Sequence, residues 1–280
     1  MILRLMKQGN GADRIRTPRG FGADVIAVNP RKMPGFPGTS RADGSVIPVD
    51  GWFKGDAPTD AETKAFTANI RTRLHDQLAG RGGAPVCVDE ERFDQYHGRG
   101  REWQGRNPDS HNNAVLVIYK AITDGLHSLG LSSSFWDVPR LYPLLRGTDT
   151  IPEMLNFAER YQTRQLNGAD MIVVAAYWGD ESEAEFLYAV AMKMVVAQRS
   201  AKGRPVAFCT VPLGKHDSTR AWRPIPTSTI IQAFEIARIA GASEGWLWVN
   251  GSQGGVLAPI YNLWFRYRAW KLLRDVGGPE

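Results

Sequence analysis

Cysteine is scarce. The chain has two in 280 residues, Cys87 and Cys209, each inside an apolar run. Two thiols make no disulfide framework, and both read as small buried hydrophobic side chains. Nucleotide-binding glycine patterns are also lacking. No Gly-x-Gly-x-x-Gly joins a strand-like run to a helix-like one, and no Gly-x-x-x-x-Gly-Lys phosphate loop occurs; Gly98-Arg99-Gly100 stands in a polar loop. His97, His111, His127 and His216 have no metal-ligand spacing, and no serine sits in a Gly-x-Ser-x-Gly elbow. The sequence therefore supports neither a metal site nor a cofactor. No apolar run reaches membrane-spanning length, and Met1 to Lys7 is too short in its apolar part for a secretory signal. A soluble chain with no membrane partner is expected, either cytoplasmic or phage-associated.

What is present is a core. Hydrophobic residues make up 43% of the chain, with nine Trp, and charged residues 22%, the balance of an ordered globular protein. The net charge of +5 is mild for this length. Part of it lies in the first 22 residues, where Arg4, Lys7, Arg14, Arg16 and Arg19 face only Asp13. That stretch lacks hydrophobic periodicity. It is expected to form a basic N-terminal arm over 1–22, with a single domain over 23–280. Arginines beyond the arm are scattered, which disfavours nucleic acid as a partner.

Strand-like and helix-like segments alternate along the rest of the chain. Strands are expected at 25–28, 46–49, 86–88, 131–136, 169–178, 205–211 and 246–249. Between them run amphipathic stretches such as Phe66, Ile70, Leu74 and Leu78, at the four-residue spacing of a helix packed on a sheet. Thr59/Glu62 and Thr150/Glu153 have the spacing of capping boxes. The unbroken apolar run Met171 to Ala176 suits a parallel strand covered on both faces. About seven strands alternating with helices predict an α/β fold, a barrel of the triosephosphate-isomerase type. An open doubly wound sheet is the competitor, without its glycine fingerprint.

The strongest chemical signal is the run Ala84 to Phe93. It reads as a short strand ending in Asp89, Glu90 and Glu91. Residues two apart leave the same face of an extended chain, so Asp89 and Glu91 converge while Glu90 points away. In a parallel barrel that tip faces the active-site mouth. Two converging carboxyls are the minimal equipment for acid–base work on a glycosidic bond. The plainer alternative is that these acids cap the next helix or stand in water. Other strand tips carry aromatic residues, two of them beside acids: Trp136-Asp137, Tyr177-Trp178-Gly179-Asp180, and Trp246-Leu247-Trp248 without one. Sugar rings stack their C–H faces on aromatics and offer hydroxyls to acids, so this combination suits a saccharide site.

The segment from Ala84 to about Asp109 resembles the hyaluronidase family, in which a strand ends in Asp-x-Glu before an aromatic loop. Here the match is Asp89-Glu90-Glu91-Arg92-Phe93 with Trp103 downstream. Ser132 to Pro139, Ala175 to Trp178 and Gly245 to Trp248 are similar in order to later strands of that family. The resemblance implies a glycoside hydrolase acting on a polysaccharide that contains N-acetylhexosamine. Glu91 would be the general acid and Asp89 would orient the substrate's own acetamido nucleophile. Tyr177 would hold the acetamido oxygen and Trp248 would floor a sugar subsite, with Trp136, Asp137, Trp178 and Asp180 around them. Asp180 could instead serve as a conventional nucleophile or base. Two departures stand out: animal members use several cysteines in disulfides, and Glu90 replaces an aromatic residue.

A second reading is a non-catalytic barrel that binds carbohydrate or serves as a bacterial or phage structural module. The basic arm and the aromatic C-terminal helix (Tyr261, Trp264, Phe265, Tyr267, Trp270) are candidate docking surfaces for a protein partner.

Overall fold

The computed structural model describes residues 1–8, 12–28, 85–88, 119–136, 168–178, 181–215 and 222–277, with Pro152 and a few helical positions between 64 and 78. Seven parallel strands close into a barrel: β1 (Ile2–Gln8), β2 (Val25–Val28), β3 (Val86–Val88), β4 (Ser133–Phe135), β5 (Met171–Ala175), β6 (Val206–Thr210) and, after a two-stranded antiparallel hairpin of β7 (Leu213–Lys215) and β8 (Trp222–Pro224), β9 (Glu244–Asn250). Closure comes from β1 against β9, paired over seven residues from Ile2↔Glu244 to Gln8↔Asn250. The expected barrel of about seven strands is the observed one. The expected strand at 46–49 and both capping boxes lie outside the described residues.

Residues 1–22 are not simply an arm. Ile2–Gln8 alternates outward Leu3 and Leu5, which join the shell under the helices, with inward Met6. Arg4 is tolerated on the inner face because Glu244 meets it across the β1–β9 seam. Arg4 Nε and Nη2 donate to the two Glu244 carboxylate oxygens at 2.9 and 3.1 Å. Trp246 Nε1 donates to the same carboxylate at 2.7 Å, and Arg4 Nη1 donates to the Ala23 carbonyl at 3.2 Å. The pair closes the floor of the barrel.

Above the floor the interior is a small apolar cluster. Trp246, fully buried, packs with Met6, Val25, Cys87, Val173, Ala175, Ala207 and Cys209. Side chains from five strands, mostly small, make room for one indole, which fills the centre of a narrow barrel. Both thiols are free and buried there.

Helices cover the outside. Leu74 and Leu78, the two described members of the 66–78 stripe, are buried. Residues 119–128 are helical and stop at Gly130, whose φ of +70° suits a residue without a Cβ. Helix α1 (Glu183–Ala201) starts on a capping box, with Ser182 Oγ accepting from the Glu185 N–H and the Glu185 carboxylate accepting from the Ser182 N–H. Helices α2 (Thr227–Ile239) and α3 (Gly251–Asp275) complete the described shell. Gly245 is required where α2 meets β9. A Cβ there would stand 2.8 Å from the Phe234 ring and 2.9 Å from Leu3.

At the N-terminal end of β5, Asp170 accepts from the Ser133 N–H at 2.6 Å, from the Ser133 hydroxyl at 3.1 Å, and bonds His127 Nε2 at 2.8 Å. Burial pushes its pKa up, but the Ser133 N–H, the His127 bond and charge, and the Ser133 hydroxyl together outweigh that and hold it below the usual carboxylate value. A depressed carboxylate stabilises the fold above its unfolded pKa and loses that contribution as pH falls through the folded one. Wild type should therefore lose more stability than Asp170→Asn between about pH 5 and pH 3. Parallel acid limbs in urea unfolding would contradict the assignment.

Arg4→Met should cost about 3–5 kcal/mol by strapping an unpaired Glu244 into the floor, and Arg4→Met/Glu244→Gln should recover part of it. Urea midpoints measure both. A loss below about 1 kcal/mol in the single variant would put the pair in water, not in the floor.

Candidate active site at the barrel mouth

The strands of a parallel barrel all point their C-terminal ends at one face, so residues just past those ends meet there. Period-two alternation selects which ones point inward. On β4 and β5 the inward series runs to Trp136 and Tyr177; on β9 it runs through Trp246 to Trp248. These three rings gather at the mouth. Trp136 and Tyr177 stack with centroids 5.8 Å apart and planes at 27°. Trp248 tilts against both, at 5.8 Å from Trp136 and 5.7 Å from Tyr177. Three aromatic residues from three strands thus form a contiguous platform above the Trp246 layer.

Its members differ in exposure. Trp136 is 7% exposed and Tyr177 38%, so Tyr177 presents the most ring to solvent. Trp248 is half-buried, and its Nε1 donates to Gln8 Oε1 at 3.0 Å. Gln8 is the last residue of β1 and escapes notice in the sequence, because β1 itself hides in the basic stretch. The bond fixes the indole edge-on to β1.

Two other contacts shape this face. The Trp136 N–H donates to the Val88 carbonyl at 2.9 Å. That ties the aromatic platform to the last residue of β3, immediately ahead of Asp89 in the chain. Lys193 of α1 is buried, and its Nζ donates to the Ala175 carbonyl at 2.5 Å, at the tip of β5. It brings a positive charge beneath the segment that carries Tyr177. The sequence held a sign of it: a lysine within the buried stripe Ala189, Val190, Met194 and Ala197.

Trp178 stands apart from the platform. It has the opposite parity to Tyr177, so its ring turns outward, stacks on Phe186 at 6.1 Å, and donates from Nε1 to the Glu181 carbonyl at 2.7 Å. It braces the start of α1. Asp89, Glu91, Asp137 and Asp180 lie outside the described residues. Among the described residues, no three His, Cys, Asp or Glu side chains gather closely enough to hold a metal, and no helix is long and apolar enough to cross a membrane.

No protein-family profile and no curated protein matches the chain in sequence. Solved structures do match in shape. Bee venom hyaluronidase in complex with a hyaluronic acid tetramer superposes with a TM-score of 0.65 at 10% identity, covering 93% of this chain and 89% of that one. A monoclinic crystal form of bee venom hyaluronidase gives 0.63 at 10% identity, covering 90% and 88%. The chain has the barrel fold found among glycoside hydrolases.

Gln8→Leu should lower stability by about 1 kcal/mol, by leaving the Trp248 N–H without its acceptor. In a Trp248→Phe background, which lacks that N–H, the same change should cost measurably less. Equal costs in the two backgrounds would show that the 3.0 Å bond contributes nothing.

Proposed function

We propose that the chain is a glycoside hydrolase that cleaves a polysaccharide containing N-acetylhexosamine at the mouth of the barrel. One observation carries the reading: the Trp136–Tyr177–Trp248 platform is hydrogen-bonded, through Trp136 N–H and Val88 O, to the strand end from which Asp89-Glu90-Glu91 follows. The aromatic rings are thus tied to the strand after which the paired-acid motif comes in sequence. Were the β3 alternation to continue past Val88, Asp89 and Glu91 would share the inward parity of Cys87. The likeness in fold to bee venom hyaluronidase is consistent with the same reading.

The proposed mechanism requires Glu91 to enter protonated, the state that partial burial and a neighbouring carboxylate would favour. It gives its proton to the glycosidic oxygen as the C1–O bond breaks. The acetamido carbonyl oxygen of the same sugar bonds to C1, and its developing positive charge is stabilised by Asp89. Tyr177 Oη holds the acetamido oxygen and Trp248 floors the sugar. Water then attacks C1 and gives a proton to the Glu91 carboxylate as the bond from C1 to the acetamido oxygen breaks, which restores the acid and the neutral acetamido group and releases a retained product. Asp137 and Asp180 would complete the polar rim. Trp178, turned toward α1, would support the site without touching substrate.

A second reading rests on the burial of Trp136. A platform whose deepest ring is 93% covered by its neighbours suits a barrel that binds a saccharide end without cleaving it.

Hyaluronan, chondroitin, chitin and peptidoglycan are the substrates to offer. Release of new reducing ends by wild type is expected on at least one, and Glu91→Gln should lower turnover by about 10²–10⁴ while leaving the melting temperature unchanged. A well-folded wild type that cleaves none of them, or a Glu91→Gln variant of undiminished rate, would discard the catalytic reading.

A further inference from the structure

The second surface with a chemistry of its own lies on the outside of the barrel, between residues 12–20 and helix α3. In a parallel barrel each strand is normally followed by a helix that packs on the sheet. The β1–β2 connection departs from this. Among its described residues the only helical piece is the three-residue turn Ala12–Arg14. The rest passes along α3 as irregular chain with a turn at Arg19-Gly20, held by Asn262, which accepts from the Arg16 N–H at 2.9 Å and donates to the Arg14 carbonyl at 3.0 Å. An irregular segment of chain covers less of α3 than a helix would. A cavity of 760 Å³ remains between them.

The uncovered face of α3 is apolar. Ile260, Leu263, Tyr267 and Trp270 recur at intervals of three, four and three residues, a stripe about 15 Å long on one side of the helix. Their exposures of 45, 57, 57 and 53% are large for such side chains. A second cavity of 410 Å³ flanks the stripe on its other side, against Pro224–Thr227. The stripe is thus a ridge with a hollow on each flank, the relief that a packed helix requires.

Among the described residues that line the larger cavity, the charge has one sign. Arg14, Arg16, Arg19 and Arg266 line the larger cavity and all are exposed; no carboxylate is among its described lining residues. Arg268 and Arg274 extend the basic character along α3, with Asp275 already bonded to Arg274 at 2.5 Å. A second copy of this chain in two-fold contact would set arginines against arginines, which disfavours self-association here. A saccharide chain would find two exposed rings but would gain little from Ile260 and Leu263. Aliphatic knobs flanked by cations call for aliphatic anchors flanked by carboxylates.

We propose that this groove is a docking site for an acidic amphipathic helix of a partner protein, which occupies the place left without a helix after β1. Its apolar residues at i, i+3, i+4 and i+7 would interdigitate with the Ile260–Trp270 ridge, and its Asp and Glu side chains would pair with Arg16, Arg19 and Arg266. Basic stretch and aromatic helix, which lie at opposite ends of the sequence, form one surface. The site is separate from the barrel mouth, so its test does not depend on the catalytic reading.

The probe is a synthetic helical peptide of three heptads, with Leu at the core positions and Glu on both flanks, labelled for fluorescence anisotropy. A control peptide carries Lys in place of Glu. The full chain is expected to bind the Glu peptide in the micromolar range and the Lys peptide at least about tenfold more weakly, with affinity falling as salt rises. Leu263→Asp and Arg16→Glu/Arg266→Glu should each weaken binding about tenfold or more. These side chains are exposed, so folding should survive, and circular dichroism checks it. No binding of the Glu peptide, equal binding of the two peptides, or binding unchanged in both variants would overturn the proposal. So would sedimentation showing a wild-type dimer that Leu263→Asp dissolves, or a polysaccharide that competes with the peptide for this face.

Discussion

Everything in this structure depends on the closure of β1 against β9. Without that seam the seven strands are an open sheet, and the rings from the C-terminal ends of β4, β5 and β9 have no common mouth at which to meet. The seam is the longest strand pairing in the barrel, and it is locked at its base by Arg4 and Glu244, 240 residues apart in the chain. A buried ion pair is a weak source of net stability and a strong penalty for wrong pairing. Slipping β1 by one residue would turn Arg4 into the helix-covered shell and leave the Glu244 carboxylate without its cation. The floor therefore sets the register. That register carries Met6 to the Trp246 layer and Gln8 to the indole of Trp248.

Above the floor, size does what charge does below. A narrow barrel accommodates one large ring at its centre only if the facing residues are small, and Ala175, Ala207, Cys87 and Cys209 are. The next inward positions lie toward the strand ends, Trp248 within β9 and Trp136 and Tyr177 just past β4 and β5, and three aromatic rings share the space there. The platform is thus a consequence of inward parity carried one step beyond the core. The same parity rule turns Trp178 outward onto Phe186, one residue from Tyr177.

Much of this was legible in sequence. The runs ending at Trp136, Tyr177 and Trp248 announced strands with aromatic tips, because they are short and bounded, and the one over 171–177 is unbroken apolar and β-branched at Ile172, Val173 and Val174. β1 was not legible. Its Arg4 and Lys7 look like a basic arm until Glu244 and Asp24 are known to meet them, and partners so distant in sequence leave no local trace. Trp178 read as a neighbour of Tyr177 because composition was followed there and alternation was not. Lys193 was passed over because a lysine in a helix usually reaches water. The basic stretch and the aromatic helix each read as a docking surface, but nothing local showed that they wall a single groove, since they come from opposite ends of the chain.

The central claim is that the aromatic platform and the acids following β3 bind one sugar chain. The direct measurement is intrinsic tryptophan fluorescence of Glu91→Gln, titrated with oligosaccharides of N-acetylhexosamine polymers, in that variant alone and combined with Trp136→Ala. The account predicts a saturable change with at least one oligosaccharide in the single variant, weakened about tenfold or more when Trp136 is removed. A folded Glu91→Gln protein whose fluorescence responds to none of them, or responds identically without Trp136, would contradict it.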